Sequence, residues 1–350
     1  MPSDPGPVSG GGEGIVPWAS PMIGAPPPSL KPGGPADAPF VAAPDAAGGV
    51  LPPPGDAASA IPAGGEARHT GSIYRLIFRV FLENKLAVLG LALVILMVLF
   101  CFVGPLLYHA QVFSATYNIE LPPGAGHPLG TDGNGVDVLG ELMVAGQNSL
   151  EVGLVAAALA TSIGVIWGAI AGFFGGVIDA VMMRIVDVLL SVPILVLLIV
   201  LAVIYSPGKW TICLIIGFVA WQVPSRLVRG ETLSLRTREY VQAVRVMGGG
   251  GRRIVLRHII PNAIGTIIVN ATFQVADAIL FLAALGFLGL GLHFPQSDWG
   301  SMLSGGSTYM EVGAWWLIIP AGSCIVIVVV AFNFIGDALR DSLEVRLQQR

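Results

Sequence analysis

The chain has 350 residues, of which 54% are hydrophobic and 11% charged, and its mean hydropathy is +0.77. A soluble domain usually carries about 25% charged residues, so the composition excludes an ordinary soluble enzyme or binding domain and indicates a chain that crosses a membrane repeatedly. The formal net charge of −4 says little by itself, because basic and acidic residues are segregated along the chain.

Residues 1–67 hold 16 of the 26 prolines and 13 of the 46 glycines, with no apolar period of 2 or 3.6. Such a segment cannot bury enough surface to offset its ordering entropy, which predicts a disordered tail over 1–70. It lacks the basic segment leading into an apolar run that marks a secretory signal, and it reads as a dispensable extension. Over 71–85, Ile73, Leu76, Ile77 and Val80 recur at helical spacing, with Arg75, Arg79 and Glu83 on another face. This pattern predicts an interfacial helix on the cytoplasmic leaflet, its arginines against anionic lipid headgroups.

A membrane span needs about 20 mostly apolar residues. Six segments qualify, at 86–108, 150–174, 186–206, 210–225, 264–291 and 313–336, the fourth being short. The predicted fold is therefore an all-α polytopic membrane protein. Lys and Arg test the arrangement: the connections on one side carry 68, 75, 79 and 85, then 184, then a cluster of eight, then 340, 346 and 350, while the other side carries Lys209 alone. Short loops rich in Lys and Arg stay in the cytoplasm, so both termini are expected there.

The external stretch 127–150 contains His127, Asp132, Asp137 and Glu141, which have the chemistry of metal ligands. The spacing suits backbone roles better: Asp132 precedes a Gly-Asn-Gly turn and Asp137 a helix N-terminus. Cys101, Cys213 and Cys324 each lie in an apolar segment without CxxC or Cys/His spacing, so they read as core residues. No metal, disulfide or cofactor is expected, and nothing suggests nucleic acid. Asp179, Arg184 and Asp187 near the third span read as a local headgroup-level charge cluster. Asn270, Gln274 and Asp277 fall on one face of the fifth span. Such a face either lines a water-filled path or makes interhelical hydrogen bonds. The small residues of 283–291 allow another helix to approach closely.

The most informative stretch is the polar insert 226–262, which holds eight of the 18 Lys and Arg residues: 226, 229, 236, 238, 245, 252, 253 and 257. Within it Tyr240, Ala243, Val244 and Met247 follow i, i+3, i+4, i+7, giving a short apolar stripe on a helix that also carries Arg238, Glu239, Gln242 and Arg245. Gly248 stands where a left-handed C-terminal cap is wanted. A second basic piece, 252–258, leads to Pro261. Two short amphipathic helices joined by a glycine hinge suit a helix-in-groove contact, with arginines meeting an acidic rim. A helix merely lying on lipid would gain from a longer apolar face.

This insert resembles the cytoplasmic signature loop of ABC importer permeases, Glu-Ala-Ala, three residues, Gly, nine residues, Ile-x-Leu-Pro. Here it stands as Gln242-Ala243-Val244, Gly248 and His258-Ile259-Ile260-Pro261, with Gln242 replacing the usual Glu and Val244 the second Ala. The phrases HPLGTD at 127–132, RLVRGE at 226–231, DWG at 298–300, LRD at 339–341 and NKLAVLGL at 84–91 are similar to the dipeptide and oligopeptide subfamily, over about 72–346. The external region departs from it: Val136, Glu141 and Gln147 stand where that subfamily commonly has arginine.

The resemblance implies a permease domain over 86–346, with six spans, in a bacterial or archaeal inner membrane. It implies half of a translocation pathway for di- or oligopeptides, formed as a heterodimer with a related permease and supplied by an extracytoplasmic binding protein. The insert would be a coupling helix seated in cytoplasmic ATPase subunits. The same machinery carrying nickel or another small solute is the alternative. A self-contained channel or a membrane-embedded enzyme is disfavoured, since neither HExxH nor paired carboxylates at depth occur. The chain also lacks a GxxxxGK[ST] phosphate loop, its one Gly-Lys pair, Gly208-Lys209, being followed by Trp210, so a transport subunit without its own nucleotide site is expected.

Overall fold

The structure is a computed structural model and describes residues 81–108, 119–124, 126–205, 208–293 and 295–348. The expected disordered tail, and the interfacial helix up to residue 80, lie outside the described residues. Among the described residues there are helices and no strands, apart from isolated bridges between Gly124 and His127 and between Thr131 and Asp137.

Helix α1, Lys85–Leu107, starts at Asn84, whose side chain accepts from the amides of Leu86 and Ala87, the ordinary N-cap arrangement. Its last turns widen into a π turn at Leu99–Val103 ahead of Pro105. Proline has no N–H for the carbonyl four residues back, and the Gln147 amide donates to that carbonyl, Cys101 O, at 2.8 Å. Helix α2, Val138–Phe174, has 37 residues and spans about 55 Å at 1.5 Å per residue. Asp137 caps it through the Gly140 amide at 2.8 Å. The chain leaves it through Gly175 and Gly176, whose φ values are +66° and +55°.

The third expected span is broken. Helices α3, Gly176–Leu190, and α4, Ile194–Ile204, meet at 81°, because Pro193 sits at the junction and its ring disfavours helical backbone before it. The fourth is also bent and longer than expected: α5, Lys209–Val219, and α6, Gln222–Leu235, meet at 43°. A short helix, α7, covers Glu239–Val246. Helix α8, Gly251–Phe287, is 37 residues long and begins thirteen residues before the apolar segment that announced it. A short external helix, α9, Trp299–Ser307, precedes the last helix, α10, Ile319–Gln348. Among the described residues four helices are long and apolar enough to cross a membrane, and the two bent pairs bring the number to six when each counts as one span.

Small residues determine where these helices meet. Gly164, Gly168 and Gly172 form an i, i+4, i+8 stripe on α2, and α6 lies against it. A Cβ added at Gly168 would stand 2.3 Å from Ser225 O, and one at Gly172 would stand 2.7 Å from Thr232 Cβ. Backbone contact of this kind is how helices associate where lipid removes the usual hydrophobic drive. Gly90 of α1 meets Ala331 O of α10, and Gly153 of α2 meets Ile279 of α8. The small run expected at 283–291 receives α9: Gly300 lies on Ala283, and Gly286 on Asp298. The three cysteines are free and buried.

The charge cluster expected around Asp179 and Asp187 is organised differently. Arg226 of α6 pairs with Asp187 of α3, and Arg229 of α6 pairs with Asp179. The first ten residues of the basic insert are thus the cytoplasmic half of a bundle helix, and two of its arginines are held by carboxylates of a neighbour. These are cross-helix pairs, which spacing along one segment does not reveal.

At the external end, Asp132 accepts from the Asn134 and Val136 amides at 2.9 and 2.6 Å, closing the turn, as its position before Gly-Asn-Gly predicts. Asp137 accepts from Tyr108 at 3.0 Å and lies 2.8 Å from His127 Nδ1. Asp298 opens α9 with a capping box shared with Ser301. Its carboxyl is held above the usual carboxylate range by burial, against which the amides of Leu292, Ser301 and Gly300 pull the other way.

Candidate coupling site

The candidate site is built on α7 and the ends of the two longest helices. Arg238 has extended backbone, φ −68° and ψ 144°, and α7 starts after it at Glu239, an acid in the first turn, with Arg245 in the last. Both charges favour the helix dipole. At the far end the Gly248 amide donates to Arg245 O at 3.0 Å and the Gly249 amide to Val244 O at 2.9 Å. This is a Schellman motif, which needs a left-handed residue at its centre, and Gly248 has φ +80°.

Helix α7 rests on the bundle through a residue outside the expected stripe. Val241 is fully buried with Phe173 at the end of α2 and with Ile254 and Ile259 at the start of α8, while Val244 packs at the margin. Tyr240, Ala243 and Met247 face outward, Met247 being 78% exposed and the neighbouring Val246 87%. The periodicity contains two overlapping apolar lines, Val241/Val244 and Tyr240/Ala243/Met247. Spacing alone does not say which one belongs to the helix's own bundle.

Three further contacts tie this corner together. The Arg245 guanidinium stacks over Phe173 at 5.6 Å. Arg236 Nη1 donates to Gly172 O at 2.9 Å, at the C-terminus of α2, and Gln242 Nε2 donates weakly to Arg236 O at 3.4 Å. A Cβ at Gly251 would stand 2.8 Å from the Phe173 ring. The second basic piece of the insert is the opening of α8 itself, running through a π turn at Val255–Ile259 to Pro261. Arg238, Arg245, Arg252, Arg253 and Arg257 are all exposed, so the outward apolar side chains are bordered by cations.

The polar face of α8 divides in function. Gln274 is buried and its amide reaches Ala220 O at 3.4 Å, the carbonyl at the break between α5 and α6, so it makes an interhelical contact. Asp277 is exposed on the surface of the chain, and Asn270 Oδ1 is buried without a hydrogen-bond partner. No group of three or more His, Cys, Asp or Glu with metal-binding geometry occurs among the described residues.

Comparison with known proteins places this architecture. Residues 164–349 match the family described as binding-protein-dependent transport system inner membrane component, and residues 72–123 match the N-terminal TM domain of oligopeptide transport permease C. The oligopeptide transport system permease protein OppC of Salmonella typhimurium is 41% identical over 269 residues, covering 76% of this chain and 89% of that one. OppC of Bacillus subtilis is 38% identical over 271 residues, with 77% and 88% covered. The dipeptide transport system permease protein DppC of Bacillus subtilis is 37% identical over 268 residues, with 76% and 84% covered. With a family match over more than half of its length and relatives aligned almost end to end, the chain belongs to the inner-membrane permease components of binding-protein-dependent ABC transport systems.

Proposed function

We propose that this chain is the permease subunit of an importer for oligopeptides or dipeptides, paired with a related permease across a shared pathway. An extracytoplasmic binding protein delivers the substrate, and separate cytoplasmic ATPase subunits supply the energy by gripping α7. The substrate class rests on the relatives, named as oligopeptide and dipeptide permeases. The observation that carries the coupling role is the seating of α7. One fully buried residue, Val241, joins it to the end of α2 and the start of α8, leaving an apolar and cationic outer face for a groove with an acidic rim. A push on α7 bears directly on two helices that each run about 55 Å through the bundle. Asp277, ionisable and exposed at membrane depth on the lone chain, is suited to face the partner permease or the aqueous pathway rather than lipid. Asn270 lies on the same helix face.

The test is coupled peptide transport in proteoliposomes containing the permease pair, the ATPases and the binding protein. Gly248→Trp forces a bulky side chain into left-handed backbone and projects it outward, where an added Cβ meets nothing within 4 Å. Arg245→Glu removes the stacked cation and reverses its charge. Both variants are expected to insert normally, lose co-purifying ATPase and transport about tenfold more slowly or worse. Wild-type transport in both would remove α7 from the docking surface.

A further inference from the structure

The end of the bundle opposite α7 contains a cavity of about 450 Å3. Its wall combines the Asp132–Asn134 turn, the first turns of α2, segment 295–297 and one side of α9. A volume in this range accommodates a small organic molecule, and such sites are mostly apolar with a few directing polar groups. Val138, Leu292, Met302 and Leu317 supply the apolar part, and Glu141 belongs to the same wall.

The three carboxylates around this cavity differ in what they have left to offer. Asp132 is occupied by the amides of its own turn and by Asn134 Nδ2. Asp298 is occupied by the amides of Leu292, Gly300 and Ser301. Glu141 is bonded at one oxygen, by the Ser297 hydroxyl at 2.8 Å, and it forms no ion pair with a Lys, Arg or His among the described residues. A carboxylate can accept about four hydrogen bonds, so most of its capacity is open. Segments 109–149 and 292–312 contain no Lys or Arg, so these walls hold no cation to neutralise it. A half-buried carboxylate without a counter-charge is costly. The cavity is too large for a bare metal ion, and among the described residues no group of three or more His, Cys, Asp or Glu could hold one.

We propose that this cavity is a binding site for an organic cation, a primary ammonium or guanidinium group, with Glu141 as its counter-charge and Ser297 orienting the carboxyl. The inference goes beyond the transport reading and does not depend on α7 or on any ATPase. Two sources present this chemistry: the amino terminus of a free peptide, and a basic side chain.

The test is calorimetric binding to the full-length chain in lipid nanodiscs, with trialanine, N-acetyl-trialanine and agmatine as probes. Trialanine or agmatine is expected to bind saturably, with the acetylated peptide about tenfold weaker or worse, and Glu141→Gln is expected to weaken the cationic probes by about the same factor. Tighter binding of trialanine assigns the site to a peptide amino terminus, and tighter binding of agmatine to a basic side chain. Gly305→Met is a second, steric probe. It lies on the cavity wall, and an added Cβ there meets nothing within 4 Å, so it obstructs the space with Glu141 intact and is expected to reduce binding similarly. Equal binding of the acetylated peptide, wild-type binding in both variants, or no saturable binding of either cation overturns the proposal.

Discussion

At the scale of single residues, this fold depends on polar groups that answer a backbone need created elsewhere. Gln147 serves the carbonyl that Pro105 leaves open, Gln274 serves the carbonyl at the break before α6, and Asp298 serves three amides at the turn into α9. Asp298→Asn keeps the oxygen that accepts from Gly300 and Ser301 but turns an NH2 toward the Leu292 amide, setting donor against donor. A cost of about 1–3 kcal/mol is expected, read as a lowered thermal midpoint in detergent. Because burial raises the Asp298 carboxyl, its contribution is fully present below the unfolded-state value and declines as pH rises through the folded-state value. The Asn variant is expected to lose that slope. The sequence offered Asp298 only as part of the DWG phrase, and its role as the cap of α9 comes from the structure. That it also anchors Leu292, six residues upstream, is visible only when the loop is closed.

At the scale of elements, contact between α2 and α6 rests on glycine rather than on side-chain volume. Gly168→Val is expected to force the two helices apart, since its Cβ alone would meet Ser225 O at 2.3 Å. Overpacking costs about 1–3 kcal/mol, and the loss should appear in the thermal midpoint together with weaker pairing of Arg229 with Asp179. Hydropathy located α2 and α8 but misjudged where they begin. Apolar content tracks the part of a helix that meets lipid, whereas α2 and α8 continue as helices beyond that layer, held by protein contacts. The same reason explains why α6 reads as loop: its Arg226 and Arg229 lower the hydropathy, yet each is neutralised by a carboxylate of α3. The left-handed cap at Gly248 was legible, because four successive glycines after an apolar stripe leave few other conformations.

At the scale of the whole molecule, the two functional ends lie at opposite ends of α2 and α8, and charge assigns them to opposite sides of the membrane. The buried native cysteines leave single introduced cysteines interpretable. Met247→Cys, at a 78% exposed position, should react with an impermeant maleimide only from the cytoplasmic side, and Val312→Cys, at a 75% exposed position, only from outside. Labelling of both from one side would overturn the topology. The sequence by itself determined the class, which follows from composition, and it set the expectation for the sidedness and for the role of the basic insert, which rest on the Lys and Arg asymmetry and on local spacing. Only the tertiary structure decided which apolar line of α7 is anchored, which arginines are already paired and which carboxylate beside the external cavity keeps most of its hydrogen-bonding capacity open. Each of these depends on what a residue meets from another helix, and spacing along one chain does not encode that neighbour.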